Sequence, residues 1–157
     1  MTTTLRAVSH LPAGHGKGIP FDLVTLAHDE RRIRRKLLTL VHGDEVLVDF
    51  PNPVTLDDRA ALVLSDGRLV EVIAAEEDLH EVTARDQAHL VRLAWHLGNR
   101  HLPAQLEEHR ILIKRDHVIR DMLVGLGAKV TDISEPFFPE HGAYHSHGDH
   151  DHALLNR

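Results

Sequence analysis

Histidine is the residue type in this chain with the clearest potential for chemistry, and it is concentrated near the C-terminus. Fifteen of the 157 residues are histidine, and five of them lie between His141 and His152. Neutral imidazole binds Ni²⁺, Zn²⁺, Cu²⁺ and Co²⁺ well, and several imidazoles on one flexible segment raise the local ligand concentration. A purification tag is the alternative, but such tags are usually uninterrupted runs of histidine, whereas these histidines are separated by other residues. We therefore predict metal binding through His145, His147, His150 and His152, although the pattern alone does not select a metal.

Two further histidines stand at predicted helix ends. His101 follows Gly98, the predicted end of a helix, in a loop closed by Pro103, and loops on rigid scaffolds often carry binding residues. His117 follows the predicted N-cap Asp116, where the helix dipole disfavours a charged imidazole and so favours the neutral, ligating form. By spacing alone, each of the two is more often an ordinary surface residue than a ligand.

His89 and His96 have a different predicted environment. Together with Arg85 and Arg92 they repeat at i, i+4, i+7 and i+11, which places all four on one polar helix face. We therefore expect both histidines to be solvated surface residues.

Composition and missing motifs exclude several classes of function. The net charge of −6, with histidine neutral, argues against a general nucleic-acid-binding protein. No apolar stretch approaches the roughly 20 residues that span a bilayer, and no signal peptide is evident, so we expect a cytoplasmic protein without membrane contact. The chain has no cysteine, which excludes thiolate zinc sites and Fe–S clusters. His80-Glu81-Val-Thr-Ala84 lacks the second histidine of a zincin motif, and no Gly-x-Ser-x-Gly elbow occurs, so we predict no enzymatic activity.

The segment Glu30–Lys36 is a local exception to the acidic composition, with five cations in seven positions. A solvated strand or sheet edge that carries protective charge is the favoured interpretation. A docking surface for an acidic partner is the alternative.

The first half of the chain has the two-residue periodicity of β-strands. Val46, Val48 and Phe50 alternate with Glu45, Leu47 and Asp49. The segments 60–64 and 68–73 flank Ser65-Asp66-Gly67, which predicts a β-hairpin. We expect a β-rich domain over residues 1–73, followed by a domain junction at 74–78.

The second half changes to the periodicity of helices. A first helix is predicted from Ala84 to Leu97, with Gly98 at its C-cap and an apolar face formed by Leu90, Leu93, Ala94 and Leu97. A second is predicted from the N-cap Asp116 to the terminator Gly127, with an apolar stripe formed by Ile119, Met122, Leu123 and Leu126. Each apolar face predicts packing against a sheet.

Strands are predicted before, between and after these helices, at 79–83, 110–114 and 129–133. The resulting order, β-α-β(β)-α-β with a possible second strand between the helices, is that of the ferredoxin-like split βαβ fold. We therefore predict an α+β protein in which the β-rich domain precedes a ferredoxin-like domain over residues 74–140. The polar residues 141–157 cannot bury enough apolar surface to fold, so we expect a disordered His-rich tail.

Three blocks of this sequence resemble the family of UreE urease accessory proteins. They are His96–Pro103, Asp116–Leu123 and Phe138–His145, and they occur in the family's order and spacing. Gly-Asn-Arg-His-x-Pro within the first block is a specific element, whereas a His-rich tail alone is not. The resemblance covers the second domain and the tail, and the β-rich half fits the family's architecture.

The resemblance implies a nickel metallochaperone that delivers Ni²⁺ for assembly of the urease active site. It implies an N-terminal domain for contacts with partners, and a homodimer formed through the second domain. His101 of both protomers would be the central ligand, with help from the tail. His117 matches an auxiliary metal position, although Arg115 stands where some members have another histidine. The implied partners are the urease accessory GTPase and the apo-urease maturation complex.

Two other functions remain open at the level of sequence. A general His-rich buffer or storage protein for Zn²⁺, Cu²⁺ or Ni²⁺ is the main alternative. A His-ligated metallohydrolase would need a general base beside an open metal position, and no pairing of residues indicates one.

Overall fold

The computed structural model describes residues 4–141, which form two compact units. The first unit holds the described residues up to Glu77 together with Ser134–Phe137. The second holds Asp78–Ile133 and the described residues from Phe138 onwards. Both units contain β-sheet and the second also contains two helices, so the predicted α+β class is confirmed. No helix among residues 4–141 is long and apolar enough to cross a membrane.

The first unit is built on six strands, which are Leu5–Leu11 (β1), Asp22–Leu26 (β2), Arg32–Thr39 (β3), Glu45–Thr55 (β4), Ala61–Leu64 (β5) and Leu69–Ala74 (β6). They form one sheet in the order β2-β6-β5-β1-β4-β3. Strand β1 is parallel to β4 and β2 is parallel to β6, whereas β1 with β5, β3 with β4 and β5 with β6 are antiparallel.

The sequence patterns of the first half predicted three of these strands, β4, β5 and β6. Val46, Val48 and Phe50 are buried in the core of the first unit, as their alternation predicted. The hairpin between β5 and β6 is confirmed, and its turn ends at Gly67 with φ of 89° and its N–H bonded to the Leu64 carbonyl. Glycine fits there because the left-handed region is free of Cβ strain.

The basic segment runs into the edge strand β3, which lies at one end of the sheet. The pairing of β3 with β4 shifts register between Ile33 and Arg35, and a bulge of this kind discourages edge-to-edge pairing. The predicted edge is therefore confirmed, with Arg34 to Lys36 exposed. Arg31 differs, because its buried guanidinium donates to the carbonyl oxygens of Leu26 and Phe137.

The second unit has the element order β-α-β-β-α-β. The elements are Glu76–Thr83 (β7), Gln87–Asn99 (α1), Ala104–Leu106 (β8), Ile111–Lys114 (β9), His117–Gly125 (α2) and Lys129–Pro136 (β10), of which the first two residues of β7 and the last three of β10 belong to the first unit. The four strands form a sheet in the order β10-β7-β9-β8, and β9 is antiparallel to both β7 and β8.

Both helices pack on the core of the second unit with the predicted faces. Leu90, Leu93 and Leu97 of α1 are buried together with Ile119 and Leu123 of α2. Asp116 caps α2 as predicted, since its carboxylate accepts from the N–H groups of Val118 and Ile119. The predicted end of α1 at Gly98 was wrong, because the helix continues to Asn99.

His89 is the clearest departure from the sequence-based expectation. It is buried rather than solvated, with a relative exposure of 6%. Its Nε2 lies 2.8 Å from the Leu126 carbonyl oxygen, and its Nδ1 accepts from the Arg85 N–H at 3.1 Å. The helix face of His89 is covered by the chain that follows α2, which the periodicity of α1 alone does not reveal. His96, from the same predicted face, is half-buried.

Candidate metal centre

His101 occupies the turn that ends α1. Its N–H donates to the Gly98 carbonyl and the Arg100 N–H donates to the Leu97 carbonyl, which closes the helix. His101 has φ of 56°, in the left-handed region where helix ends usually place glycine. The side chain is exposed, so its imidazole is accessible to an incoming ligand.

The location at a helix C-terminus also favours a bound cation. Unpaired carbonyl groups give that end of a helix a partial negative charge, which stabilises cations within the last turn. A divalent ion held by His101 would lie in this favourable field. The local field and the accessible imidazole therefore fit a metal ligand at this position.

The backbone conformation of His101 gives a prediction about stability. A side chain in the left-handed region costs roughly 1 kcal/mol relative to glycine. We expect His101→Gly to unfold at higher temperature than His101→Ala, by a difference worth about 1 kcal/mol or some 2–4 °C. If His101 is a metal ligand, both variants should also bind metal less tightly, because neither carries an imidazole at position 101. Thermal unfolding monitored by circular dichroism measures the difference, and a less stable glycine variant would contradict it.

His117 is the first residue of α2, as the sequence predicted, and its side chain is exposed. The start of this helix is fixed by the buried His80, whose Nε2 accepts from the Asp116 N–H at 3.1 Å. His80 Nδ1 lies 2.8 Å from the Asp132 carboxylate, so both ring nitrogens have partners. The sequence analysis mentioned His80 only because the segment that follows it lacks the second histidine of a zincin motif. It did not predict this structural role.

Arg115 does not extend the metal site towards His117. Its guanidinium donates to the Leu79 carbonyl at 3.2 Å and to the Ile133 carbonyl at 2.9 Å. A guanidinium has no lone pair available for a metal. Arg115 therefore connects the backbones of β7 and β10, and it does not contribute a ligand.

Within residues 4–141, no group of three or more histidine, aspartate or glutamate side chains is arranged to hold a metal ion. The structure therefore does not bring His101 and His117 together with a third ligand in that part of the chain. His145, His147, His150 and His152 lie outside the described residues, so their role stays a prediction. A site at His101 requires ligands from beyond this range or from a second protomer.

Residues 138–140 follow the open edge of β8, which begins three residues after His101. The Phe138 N–H donates to Gln105 Oε1 and the Glu140 N–H donates to the Ala104 carbonyl, each at 2.8 Å. The backbone of Glu140 therefore lies against the edge of β8 at Ala104.

Helix α1 also carries an exposed apolar face. Val91 and Trp95 are one turn apart and have relative exposures of 61% and 65%. Trp95 is the only tryptophan of the chain, and its ring contacts the edge of His96 at a centroid distance of 5.1 Å. A single exposed tryptophan six residues before His101 makes its fluorescence a useful reporter for this end of the helix.

The fold and the site together define an α+β protein with an exposed histidine at a helix terminus and an incomplete ligand set in the described residues. Comparison with known proteins agrees over both units. The family model described as UreE urease accessory protein, N-terminal domain, matches residues 1–75, and the corresponding C-terminal domain model matches residues 77–156. The chain therefore belongs to the family of UreE urease accessory proteins.

Relatives of high identity support the same conclusion. The urease accessory protein UreE of Rhizobium rhizogenes is 56% identical over 94% of this chain and 88% of its own length. The proteins of that name from Agrobacterium fabrum and Rhizobium meliloti are 55% and 54% identical, again over 94% of this chain, and over 92% and 96% of their own lengths. The chain is thus similar to accessory proteins of urease, and the family is not that of the catalytic enzyme.

Proposed function

We propose that this protein is a nickel metallochaperone that delivers Ni²⁺ during maturation of urease. Ni²⁺ would be held at His101 of two protomers, with further imidazoles from residues 141–157. The proposal rests on the family and on one observation, which is the exposed imidazole of His101 at the C-terminal end of α1. Ni²⁺ is cargo in this proposal, so the protein itself catalyses no reaction.

A single imidazole cannot hold a divalent ion firmly, and this favours a shared site. A two-fold axis would supply two copies of His101 without any additional sequence. Imidazole is a good ligand for Ni²⁺ and also for Zn²⁺, Cu²⁺ and Co²⁺. The selection of nickel comes from the family, because affinity order alone favours Cu²⁺.

The apolar face of α1 supports a homodimer. Val91 and Trp95 are exposed on the helix that ends at His101. Tryptophan is enriched at the centres of protein interfaces, where a large ring becomes fully desolvated. Pairing of two such faces around a two-fold axis would bury both residues and bring two copies of this helix together.

The topology of the second unit supports the ferredoxin-like fold predicted from sequence. Numbered within the unit, the sheet has the strand order 4-1-3-2 with a helix after the first strand and another after the third. We propose that residues 74–140 form this metal-binding and dimerisation domain. Residues 1–73 would form the domain that contacts partners, and 141–157 the His-rich tail.

The partners in this proposal come from the family. They are the urease accessory GTPase, which would receive Ni²⁺, and the apo-urease maturation complex. His117 is proposed as an auxiliary ligand because it is exposed at the start of α2. Release to a partner is easier from a site with some ligands on a tethered segment than from a rigid cage of four fixed side chains.

A general metal buffer is the alternative function, favoured only by the number of histidines. The two functions differ in how the metal is distributed among sites. A metallochaperone should bind one Ni²⁺ per dimer tightly and few others weakly. A buffer should bind several ions per chain with similar affinities, and calorimetry separates these outcomes.

Truncation after Glu140 tests the proposal. We expect the truncated protein to bind fewer Ni²⁺ ions and to hold the tight one more weakly, because the two copies of His101 remain while the tail imidazoles are lost. Isothermal calorimetry and quenching of Trp95 fluorescence provide independent measurements. A full-length variant with asparagine at His141, His145, His147, His150 and His152 is the matched control, since it keeps the tail length and lacks the same imidazoles.

The control variant should behave like the truncated protein if the imidazoles themselves are responsible. Complete loss of Ni²⁺ binding on truncation would mean that the tail is the whole site, which would favour the buffer. Unchanged stoichiometry and affinity would remove the tail from the proposed site.

A further inference from the structure

A basic surface on the first unit has no part in the proposed metal site. Strand β3 carries three consecutive exposed cations, Arg34, Arg35 and Lys36, and the exposed side chain of Leu37 follows them. We call these four residues the basic edge. The net charge of the whole chain is −6 with histidine neutral, so this concentration of positive charge is local.

The carboxylate opposite the basic edge neutralises only part of its charge. Asp49 of β4 pairs across the sheet with Arg35, and its Oδ2 accepts from the Arg35 guanidinium at 3.2 Å. The same oxygen accepts from the Arg6 guanidinium of β1 at 2.7 Å. Because two cations share one carboxylate, this cluster keeps an excess of positive charge.

The other two cations are held still more loosely. Lys36 Nζ lies 3.9 Å from the Glu30 carboxylate, which is at the outer limit of an ion pair. The Arg34 guanidinium is exposed and has no hydrogen bond or ion pair with residues 4–141. Both groups are therefore available to an incoming carboxylate, at little cost in existing contacts.

The main chain of the basic edge is open on one side. Strand β3 is the last strand of its sheet, and within the described part of the chain only β4 pairs with it. The register shift is confined to Ile33–Arg35, whereas residues 35–39 pair continuously with residues 45–49. An edge strand presents N–H and C=O groups to its open side. A further strand would therefore find a regular template along residues 35–39.

Protective charge alone does not account for Leu37. This residue is 51% exposed at the centre of the regular stretch, and it lies opposite Leu47 of β4. A charged edge that only prevented pairing would gain nothing from an exposed leucine at this position. Cations that repel a second copy of the same strand attract a strand with carboxylates, so the same residues exclude one partner and admit another.

We propose that the basic edge binds an acidic, extended segment of a partner protein, which pairs with β3 as an added strand. Carboxylates of the segment would contact the cations, and an apolar side chain would cover Leu37. Nucleic acid is disfavoured by the negative charge of the rest of the chain. The inference rests on the proposed function only in assigning partner contacts to the first domain, and it involves none of the candidate metal ligands.

Binding of labelled peptides to the full-length protein tests this surface. The probe is a fluorescein-labelled peptide of about eight residues, within the usual length of a strand, in which glutamate alternates with valine. Fluorescence anisotropy should show saturable binding that weakens as salt is added, because exposed ion pairs are screened. Peptides with glutamine or lysine in place of glutamate should bind about tenfold more weakly or worse.

Charge reversal identifies the binding surface. Arg34→Glu combined with Lys36→Glu should weaken binding of the acidic peptide by about tenfold or more, since two attractions become repulsions. Arg120→Glu combined with Lys129→Glu is the matched control, because it changes the net charge equally at two exposed positions of the second unit. It should leave the affinity nearly unchanged. Leu37→Ser should weaken binding by about fivefold without any change of charge.

Absence of saturable binding at low salt, or equal weakening in the charge-reversal and control proteins, would overturn the proposal. Tighter binding of labelled oligothymidine, lost on charge reversal, would assign the surface to nucleic acid instead. A changed oligomeric state on charge reversal, measured by light scattering, would assign it to a second copy of the chain. If thermal denaturation shows that charge reversal unfolds the protein, Leu37→Ser provides the test. Failure of the proposed nickel function is distinguishable, because it would appear in Ni²⁺ calorimetry and leave the peptide affinity unchanged.

Discussion

Replacing His101 with alanine should remove the tight Ni²⁺ binding event while leaving the fold intact. One substitution deletes two ligands in a homodimer that shares the site, because the two-fold axis repeats it. Loss of a residue that only orients a metal ligand typically weakens binding by 10–100-fold, so loss of two direct ligands should exceed about 100-fold. His101 is exposed and outside both cores, so its truncation creates no cavity.

Calorimetry should show that the first, high-affinity step is absent in His101→Ala. His109→Ala is the matched control, since His109 has an 82% exposed side chain and lies in the loop between β8 and β9. It should keep the tight step. Size-exclusion chromatography with light scattering would check that the oligomeric state of both variants is unchanged. A high-affinity step that persists in His101→Ala would exclude His101 as the central ligand.

Nickel affinity should fall steeply as the pH is lowered from 7 to 5. Imidazole must be neutral to bind a metal, and its ordinary pKa is about 6.5. Protons therefore compete with Ni²⁺ below that value, and each ligating imidazole should lower the affinity by about 25-fold between pH 7 and 5. Two imidazoles give a loss of roughly 600-fold, and four give a loss of more than 10⁵-fold by the same arithmetic.

The slope of log affinity against pH on the acidic side therefore counts histidine ligands. We expect a limiting slope of about two to four, with two as the contribution of a symmetric His101 pair. Carboxylate ligands such as Asp149 or Asp151 would contribute almost nothing, because their ordinary pKa is about 4. The protein truncated after Glu140 should have a smaller slope than the full-length chain. A flat profile over this range would show that histidine does not dominate the site.

Local patterns in the sequence were sufficient to place most of the secondary structure. The alternation around Val48 and the turn at Gly67 predicted strands of the first unit, because side chains in a strand alternate between core and solvent. The stripe at Leu90 and Leu93 and the N-cap at Asp116 predicted helices of the second unit in the same way. Each of these patterns involves residues that are close together in the chain, so it can be recognised in a single sequence.

The candidate metal site rests on the sequence as well. His101 was selected by the block that resembles the family, and the structure adds the physical environment of that residue. Its left-handed conformation and its place at the negative end of α1 depend on where the helix stops. Gly98 was predicted as the C-cap because helices often end at glycine, but the structure places the turn at Arg100 and His101 instead.

Only the tertiary structure decided the features that join distant parts of the chain. His89 is buried because the Leu126 carbonyl, 37 residues away, covers a face that looks polar in isolation. Gln105 receives the Phe138 N–H only because the end of the fold returns to the edge of β8. Helical and strand periodicity report on neighbours within one element, whereas these contacts depend on which elements meet. The sequence by itself therefore determined the two helices and most of the strands and singled out His101 as a candidate ligand, whereas packing decided which histidines are buried.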